Sequence, residues 1–312
     1  MKYRIEKYHP GFQRLWNQFV LQSFNATFLH HRAYMDYHAD RFPDHSLIFF
    51  QGNEPVALLP AHRMGSRLYA HNGLTYGGWL WKKIFRVAEM EEMAGIAANF
   101  LKEAGVESLH IKEIPLFYWT YAGEQNRYVY NRKGRHSDTL YYWVIDTRRP
   151  FDTLFNADRR RSLRKAEKQP WKTEASDDWE GFWHLLEQSL SERHDARPVH
   201  SLEEISMLAQ RFPQQIKLFV VKEGERLLAG TVVYLTGNVL RFQYTAGSTD
   251  AMLRPAIDML ARDVMQTYYS KVAFVDWGPS ENPGGGPNEG LIYWKQSLGA
   301  VPRAQYYWEF RL

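Results

Sequence analysis

Lys295 stands in "YWKQSLG", directly after Tyr293 and Trp294 and four residues ahead of a glycine. A lysine flanked this way can hold positive charge where a reacting carbonyl develops negative charge. In a water-poor site that is worth on the order of a few kcal/mol. The same spacing also suits a surface lysine on an amphipathic helix. Asp276 closes a short apolar run and is followed by Trp277 and Gly278. Strand ends that face a loop often carry function, and an aspartate there orients an amine or takes its proton. A turn-forming aspartate reads identically. The loop "GPSENPGGGPNEG", Gly278–Gly290, has no apolar anchor. It suits a lid over substrate as well as a connector, and it lacks the Gly-Lys-Ser/Thr ending of a phosphate loop.

A second group of polar residues falls in "SERHDARPVHS", Ser191–Ser201. Histidines such as His194 and His200 move protons near neutral pH, and arginines such as Arg193 and Arg197 hold diphosphates or carboxylates. No HExxH pair or carboxylate triad accompanies them, so no metal site is expected. His30, His31, His62 and His71 likewise lack ligand partners at recognisable spacing. The most basic stretch, "FNADRRRSLRKAEKQPW" from Phe155 to Trp171, reads as a helix capped by Asp152. At about 100° per residue, Phe151, Leu154, Phe155, Leu163 and Ala166 share a face, with Arg160, Arg161, Arg164 and Lys168 opposite. Arg159 falls among the apolar positions, so it needs an acceptor. "WLWKKIFR", Trp79–Arg86, mixes aromatics with cations in a way that suits an anionic membrane face and, more readily, packing inside a domain.

The elements that must position these groups follow from length and pattern. A chain of 312 residues, 45% hydrophobic and 15% aromatic, suits two globular domains. A net charge of +4 is low for a duplex-binding protein, so duplex DNA is not an expected partner. The absence of cysteine excludes disulfides, thiolate metal sites and a cysteine nucleophile. No signal-like segment and no run of about 18 apolar residues is seen. The expected setting is the cytoplasm, with at most a peripheral contact at the inner membrane face.

Periodicity in the second half predicts helices over 177–192 and 202–212, the latter opened by the capping box at Ser201. An antiparallel meander is expected over 215–222, 226–235 and 239–245. A long helix (251–268), a short strand (272–276), a helix near 288–298 and a last strand (305–310) follow. The first half repeats this order loosely. It has a strand at 2–7, helices at 11–21 and 32–38, a hairpin at 46–62 and a possible strand start at 67–69. A long helix at 87–102, a strand at 108–113 and a closing strand at 141–145 complete it. The expected fold class is α/β (α+β): two tandem domains, 1–148 and 149–312, each a mixed, mostly antiparallel sheet flanked by helices.

This order resembles the GNAT acyltransferase fold in tandem. It is similar to the Fem-type transferases, which add amino acids to peptidoglycan precursors, and to the related FemAB-like acetyltransferases. The residues that carry the resemblance are "ALLPAHRMGSRLYAHNGLTYGG" (Ala57–Gly78), "RRSLRKAEK" (Arg160–Lys168), "VDWGPS" and "GLIYWKQSLGA". It implies a transferase passing an activated acyl or aminoacyl group to an amine on a cell-envelope precursor, peptidoglycan or surface glycan. The donor would be acyl-CoA or aminoacyl-tRNA, a co-substrate rather than a bound cofactor. Alternatives are an acetyl-CoA-dependent N- or O-acetyltransferase on a nucleotide-linked sugar and a non-catalytic binding protein on the same scaffold. The resemblance places Lys295 and Asp276 at a catalytic cleft. Arg160, Arg164, Arg193, His194, His200, Gln243, Tyr244 and Tyr76 would then face substrate, and Arg254 the donor. One departure stands out: "RFQYTAGSTDAMLRPA", Arg241–Ala256, lacks the glycine-rich pyrophosphate loop of GNAT enzymes, and Asp250 would repel a phosphate unless it caps the helix.

Overall fold

Runs of alternating and β-branched apolar residues become strands, and glycines at left-handed positions turn the chain between them. The computed structural model describes residues 2–312 apart from Ala122, Asp195, Ala196, Thr249 and Pro283; the side chains of Arg193, His194 and Ala251 are also outside the described set. The chain forms two compact units, Met1–Leu140 with Ala304–Leu312, and Tyr141–Arg303. The division therefore falls at 140/141 where the sequence suggested 148/149.

In the first unit, β1 (Tyr3–Lys7), β2 (Leu47–Gln51), β3 (Glu54–Leu59) and the two-residue β6 (Leu80–Trp81) form an antiparallel sheet in that order. Gly52, at φ +60, closes the β2–β3 hairpin in a conformation that favours glycine. β4 (His62–Met64), β5 (Arg67–Tyr69) and β7 (Ser108–Lys112) are further strands; β5 and β7 pair in parallel. Helices α1 (Gln13–Gln22), α2 (Arg32–Met35), α3 (Val87–Glu103) and α4 (Gln125–Lys133) complete the unit. The core gathers Phe49, Trp79, Trp81, Met93, Leu101 and Tyr130.

The second unit is built on β8 (Arg135–Asp146), which enters it at Tyr141. It adds α5 (Ala157–Ala166), β9 (Lys172–Ser176), α6 (Trp179–His194) and α7 (Leu202–Arg211). Next come β10 (Ile216–Glu223), β11 (Arg226–Leu235), β12 (Val239–Gly247) and α8 (Pro255–Tyr268). β13 (Phe274–Asp276), α9 (Glu289–Ser297) and β14 (Val301–Arg311) end the chain. The strands of this unit run β8-β13-β12-β11-β10-β9. All pairs are antiparallel except β12–β13, which is parallel.

Two closing strands differ from the sequence expectation. Val144–Asp146 pair with β13 in the second unit, and Tyr307–Arg311 pair with Ser108–Lys112 in the first. Neighbours in sequence pair in only about two-thirds of cases, and nothing local in either run names its partner. The basic helix also starts later than expected. Phe151–Thr153 is a separate 3-10 turn, and the Asn156 side chain, not Asp152, accepts from the Arg159 N–H to cap α5.

Arg159 does find a carboxylate. Its Nη1 lies 2.6 Å from both oxygens of Asp258, in the first turn of α8. Ser162 Oγ donates to the same group at 2.6 Å, and Trp294 Nε1 on α9 at 2.8 Å. Asp258 is 2% exposed, so these donors replace its water. One buried carboxylate thus ties α5, α8 and α9. Asp258→Ala, which strands the Arg159 cation, is expected to lower unfolding free energy by about 3–5 kcal/mol in urea titration. A loss below about 1 kcal/mol would show that the tie carries no weight.

Candidate active site

The site begins with a break in the β11–β12 ladder. Val232 pairs with Tyr244 and Val233 with Phe242, so Gln243 is the extra residue of a bulge. A bulge bends its strand and re-aims side chains. Beside it, β13 pairs in parallel with β12 and sets Asp276 opposite Arg241. Arg241 Nη1 donates to Asp276 Oδ2 at 2.6 Å, and its Nε donates to Gln243 Oε1 at 2.8 Å. The guanidinium also lies 5.4 Å from the centroid of the Tyr142 ring.

Gly278 turns the chain out of the strand at φ +69. Its N–H donates to Asp276 Oδ1 at 2.7 Å. Its carbonyl accepts from the Trp143 N–H at 3.1 Å and from Lys295 Nζ at 3.1 Å. Lys295 donates again to the Pro279 carbonyl at 2.6 Å. The lysine is 3% exposed and Asp276 fully enclosed. Trp277 stacks on Phe242 with centroids 3.8 Å apart and meets Trp294 edge-on, which seals this corner with aromatic surface. Lys295 is therefore a buried lysine, not a surface one. Burial lowers its pKa to about 7; Asp276 and Glu281 oppose the shift and Arg241 adds to it.

Some of the residues expected from the sequence lie together here and others do not. Lys295, Asp276 and Gln243 are joined through Arg241 and Gly278. Both Asp276 oxygens are engaged, so it is placed to orient rather than to take a proton. Tyr244, next to the bulge, accepts or donates at 2.6 Å with His200 Nδ1, and the Trp183 ring lies edge-on to it. Burial raises the Tyr244 pKa. Arg160 and Arg164 are exposed on α5, and Arg160 turns back to donate to the Phe155 carbonyl. Arg254 is exposed at the start of α8. Asp250 accepts from the Met252 N–H at 2.8 Å, capping the turn that leads into α8, and Pro255 supplies no N–H there. The side chains of Arg193 and His194 lie outside the described residues. Tyr76 is corrected: it is fully enclosed in the first unit, donates to Thr27 Oγ1 at 3.2 Å and packs on Tyr118, so it belongs to the core.

Sequence reasoning missed Arg241, Gly278 and Tyr142. Arg241 carried a signal: it is a cation inside the apolar run "VLRF", where a charge needs a partner. Among the described residues no group of three or more His, Asp or Glu side chains could hold a metal ion, and no helix is long and apolar enough to cross a membrane.

A family model described as Acetyltransferase (GNAT) domain matches residues 155–285. No curated protein matches the chain in sequence. Among solved structures, FemX has a TM-score of 0.71 at 12% identity, over 98% of this chain and 97% of that one. The C-terminal domain of a putative lysylphosphatidylglycerol synthetase from Agrobacterium fabrum gives 0.58 at 11% identity, over 94% and 91%. A tandem GNAT protein from the clavulanic acid biosynthesis pathway gives 0.53 at 11%, over 99% and 98%. The chain shares the overall fold of these structures, and with its GNAT domain it is an acyltransferase.

The buried lysine has a signature in stability. The unfolded chain, with lysine near its ordinary 10.5, binds more protons than the folded one between about pH 7 and 10.5. Stability from this group therefore rises with pH across that window and is lowest below about 7. Lys295→Met is expected to raise Tm most near pH 6, with the gain shrinking toward pH 10. A gain that does not change with pH would contradict burial of the charge.

Proposed function

We propose that this GNAT-domain acyltransferase passes an activated aminoacyl or acyl group to an amine on a cell-envelope component, with Lys295 stabilising the tetrahedral oxyanion. The observation that carries this reading is the enclosed Lys295 ammonium, held by two loop carbonyls beside the Arg241–Asp276 pair. Two of its three hydrogens go to Gly278 and Pro279. Among the described residues the third has no acceptor, which leaves it to an oxyanion. Because the cation is poorly solvated, it gains more from developing negative charge than a surface lysine would. Attack by a neutral amine makes the C–N bond and moves the carbonyl pair onto oxygen. Collapse expels the donor's oxygen or sulfur, and the amine proton leaves with it or to water. Asp276, fixed by Arg241 and Gly278, holds the loop that orients Lys295.

The donor side favours a group other than the CoA pyrophosphate at α8. Phosphates bind at helix starts that present open N–H groups. Here Asp250 occupies one with its own carboxylate and Pro255 removes another. An aminoacyl ester such as aminoacyl-tRNA fits this better. In this reading Arg160 and Arg164, both exposed on α5, meet its phosphates or a diphosphate-linked acceptor. A lysylphosphatidylglycerol is itself an aminoacylated envelope lipid, which makes one fold relative consistent with this chemistry. The setting that follows is the cytoplasmic face of the membrane.

Two measurements test the reading. Label transfer from charged tRNA and from acetyl-CoA to amine-bearing envelope precursors should favour the charged tRNA; transfer from acetyl-CoA alone would contradict the donor assignment. Lys295→Met should lower kcat by about 10²–10³ with the fold intact. The wild-type rate should decline as pH rises through about 7, where the ammonium is lost, and Lys295→Arg should move that limb upward. Near-normal turnover in Lys295→Met would remove the lysine from the mechanism.

A further inference from the structure

A partly open cavity of about 240 Å³ lies within the first unit, and no residue of the second lines it. Its origin is legible in α3, where "AGIAA", Ala94–Ala98, lines it with small residues at 94, 95, 97 and 98. Packed interiors leave few voids larger than a water molecule. An apolar cavity of about 150 Å³ already binds benzene. On the benzene scale of about 25 Å³ per carbon, this one holds roughly eight to ten carbons.

Two further observations point to what enters. Trp81 lines the cavity, is 4% exposed, and its indole N–H has no acceptor among the described residues. Buried donors are rarely left unpaired, so an occupant with a carbonyl oxygen suits it. The charged lining residues are Glu91, Lys133 and Arg311. Glu91 is already paired with Arg132 at 2.9 Å. Arg311 reaches Glu309 only at 3.8 Å, while Arg135 holds that glutamate at 2.5 Å. Among the described residues Lys133 and Arg311 are thus the lining cations left to meet an anionic head.

We propose that the first unit binds a single unbranched acyl chain of about eight carbons on an anionic head group, the chain in this cavity, a carbonyl oxygen accepting from Trp81, and the head at Lys133 and Arg311. The ligand comes either as a free fatty acid, whose carboxylate serves as both Trp81 acceptor and anionic head, or as a single-chain phosphoacyl ester, whose acyl carbonyl and phosphate are separate. Titration calorimetry on the full chain, below micelle concentrations, uses saturated fatty acids from hexanoate to hexadecanoate and, as a second arm, octanoyl lysophosphatidylglycerol. Affinity should rise about fourfold per methylene and level off near eight to ten carbons in whichever arm is the source. Ala98→Phe, which fills the cavity, should weaken binding at least tenfold, and Lys133→Glu, at the exposed rim, severalfold. Trp81→Phe should weaken it severalfold as well. Absence of binding in both arms overturns the proposal. So does affinity that keeps climbing to hexadecanoate and ignores Ala98→Phe and Lys133→Glu. The readout is binding, so its failure is independent of the role of Lys295.

Discussion

An ammonium group taken out of water must be compensated by nearby dipoles and charges or give up its proton. Lys295 meets that constraint with two carbonyls at 3.1 and 2.6 Å and with the negative charge of Asp276. Each of those partners makes its own demand. The carbonyls are in place only because Gly278 adopts a left-handed turn. Asp276 can be fully enclosed only because Arg241 and the Gly278 N–H saturate it. Arg241 in turn is steadied by Gln243 at the β12 bulge. The bulge, the parallel β12–β13 pair and the glycine turn are therefore one device for holding a buried cation.

The second requirement is that α9 present Lys295 at that turn. Trp294 precedes the lysine, and its indole N–H is fixed by Asp258 on α8. Asp258 also anchors Arg159 and Ser162 on α5, and Tyr293 on α9 bonds to Asp158 there. Consecutive residues of α9 thus serve the scaffold, Tyr293 and Trp294, and the site, Lys295. This arrangement explains why the basic helix is not a free-standing polyanion grip. Its Arg159 is structural, and only its outer arginines face solvent.

Much of this was legible in the sequence where pattern and chemistry agree. The meander over β10, β11 and β12, the capping box at Ser201 and the long helices α3 and α8 follow from periodicity. The need of Arg159 for a partner followed from its angular position among apolar residues, although Asp258, 99 positions away, could not be named. Other features left no local trace. β9, "KTEAS", is a polar edge strand without apolar alternation, and α4, "QNRYVYNRK", lacks a clear apolar stripe. Arg241 meets Asp276 across 35 residues and only after the parallel pairing forms. Tyr76 looked substrate-facing because its glycine loop resembles a family motif, but a tyrosine among Thr27, His30 and Tyr118 is held by packing.

The central claim is the state of one side chain: a lysine made acidic by enclosure at the end of β13. It is measured most directly by NMR of protein carrying 13Cε-labelled lysine, titrated from pH 5 to 11, with Lys295→Met to identify the resonance. One lysine signal absent from the variant should titrate with a midpoint near 7. If the Lys295 signal instead titrates with the others near the ordinary lysine value, the lysine is solvated, and the oxyanion role built on its burial falls with it.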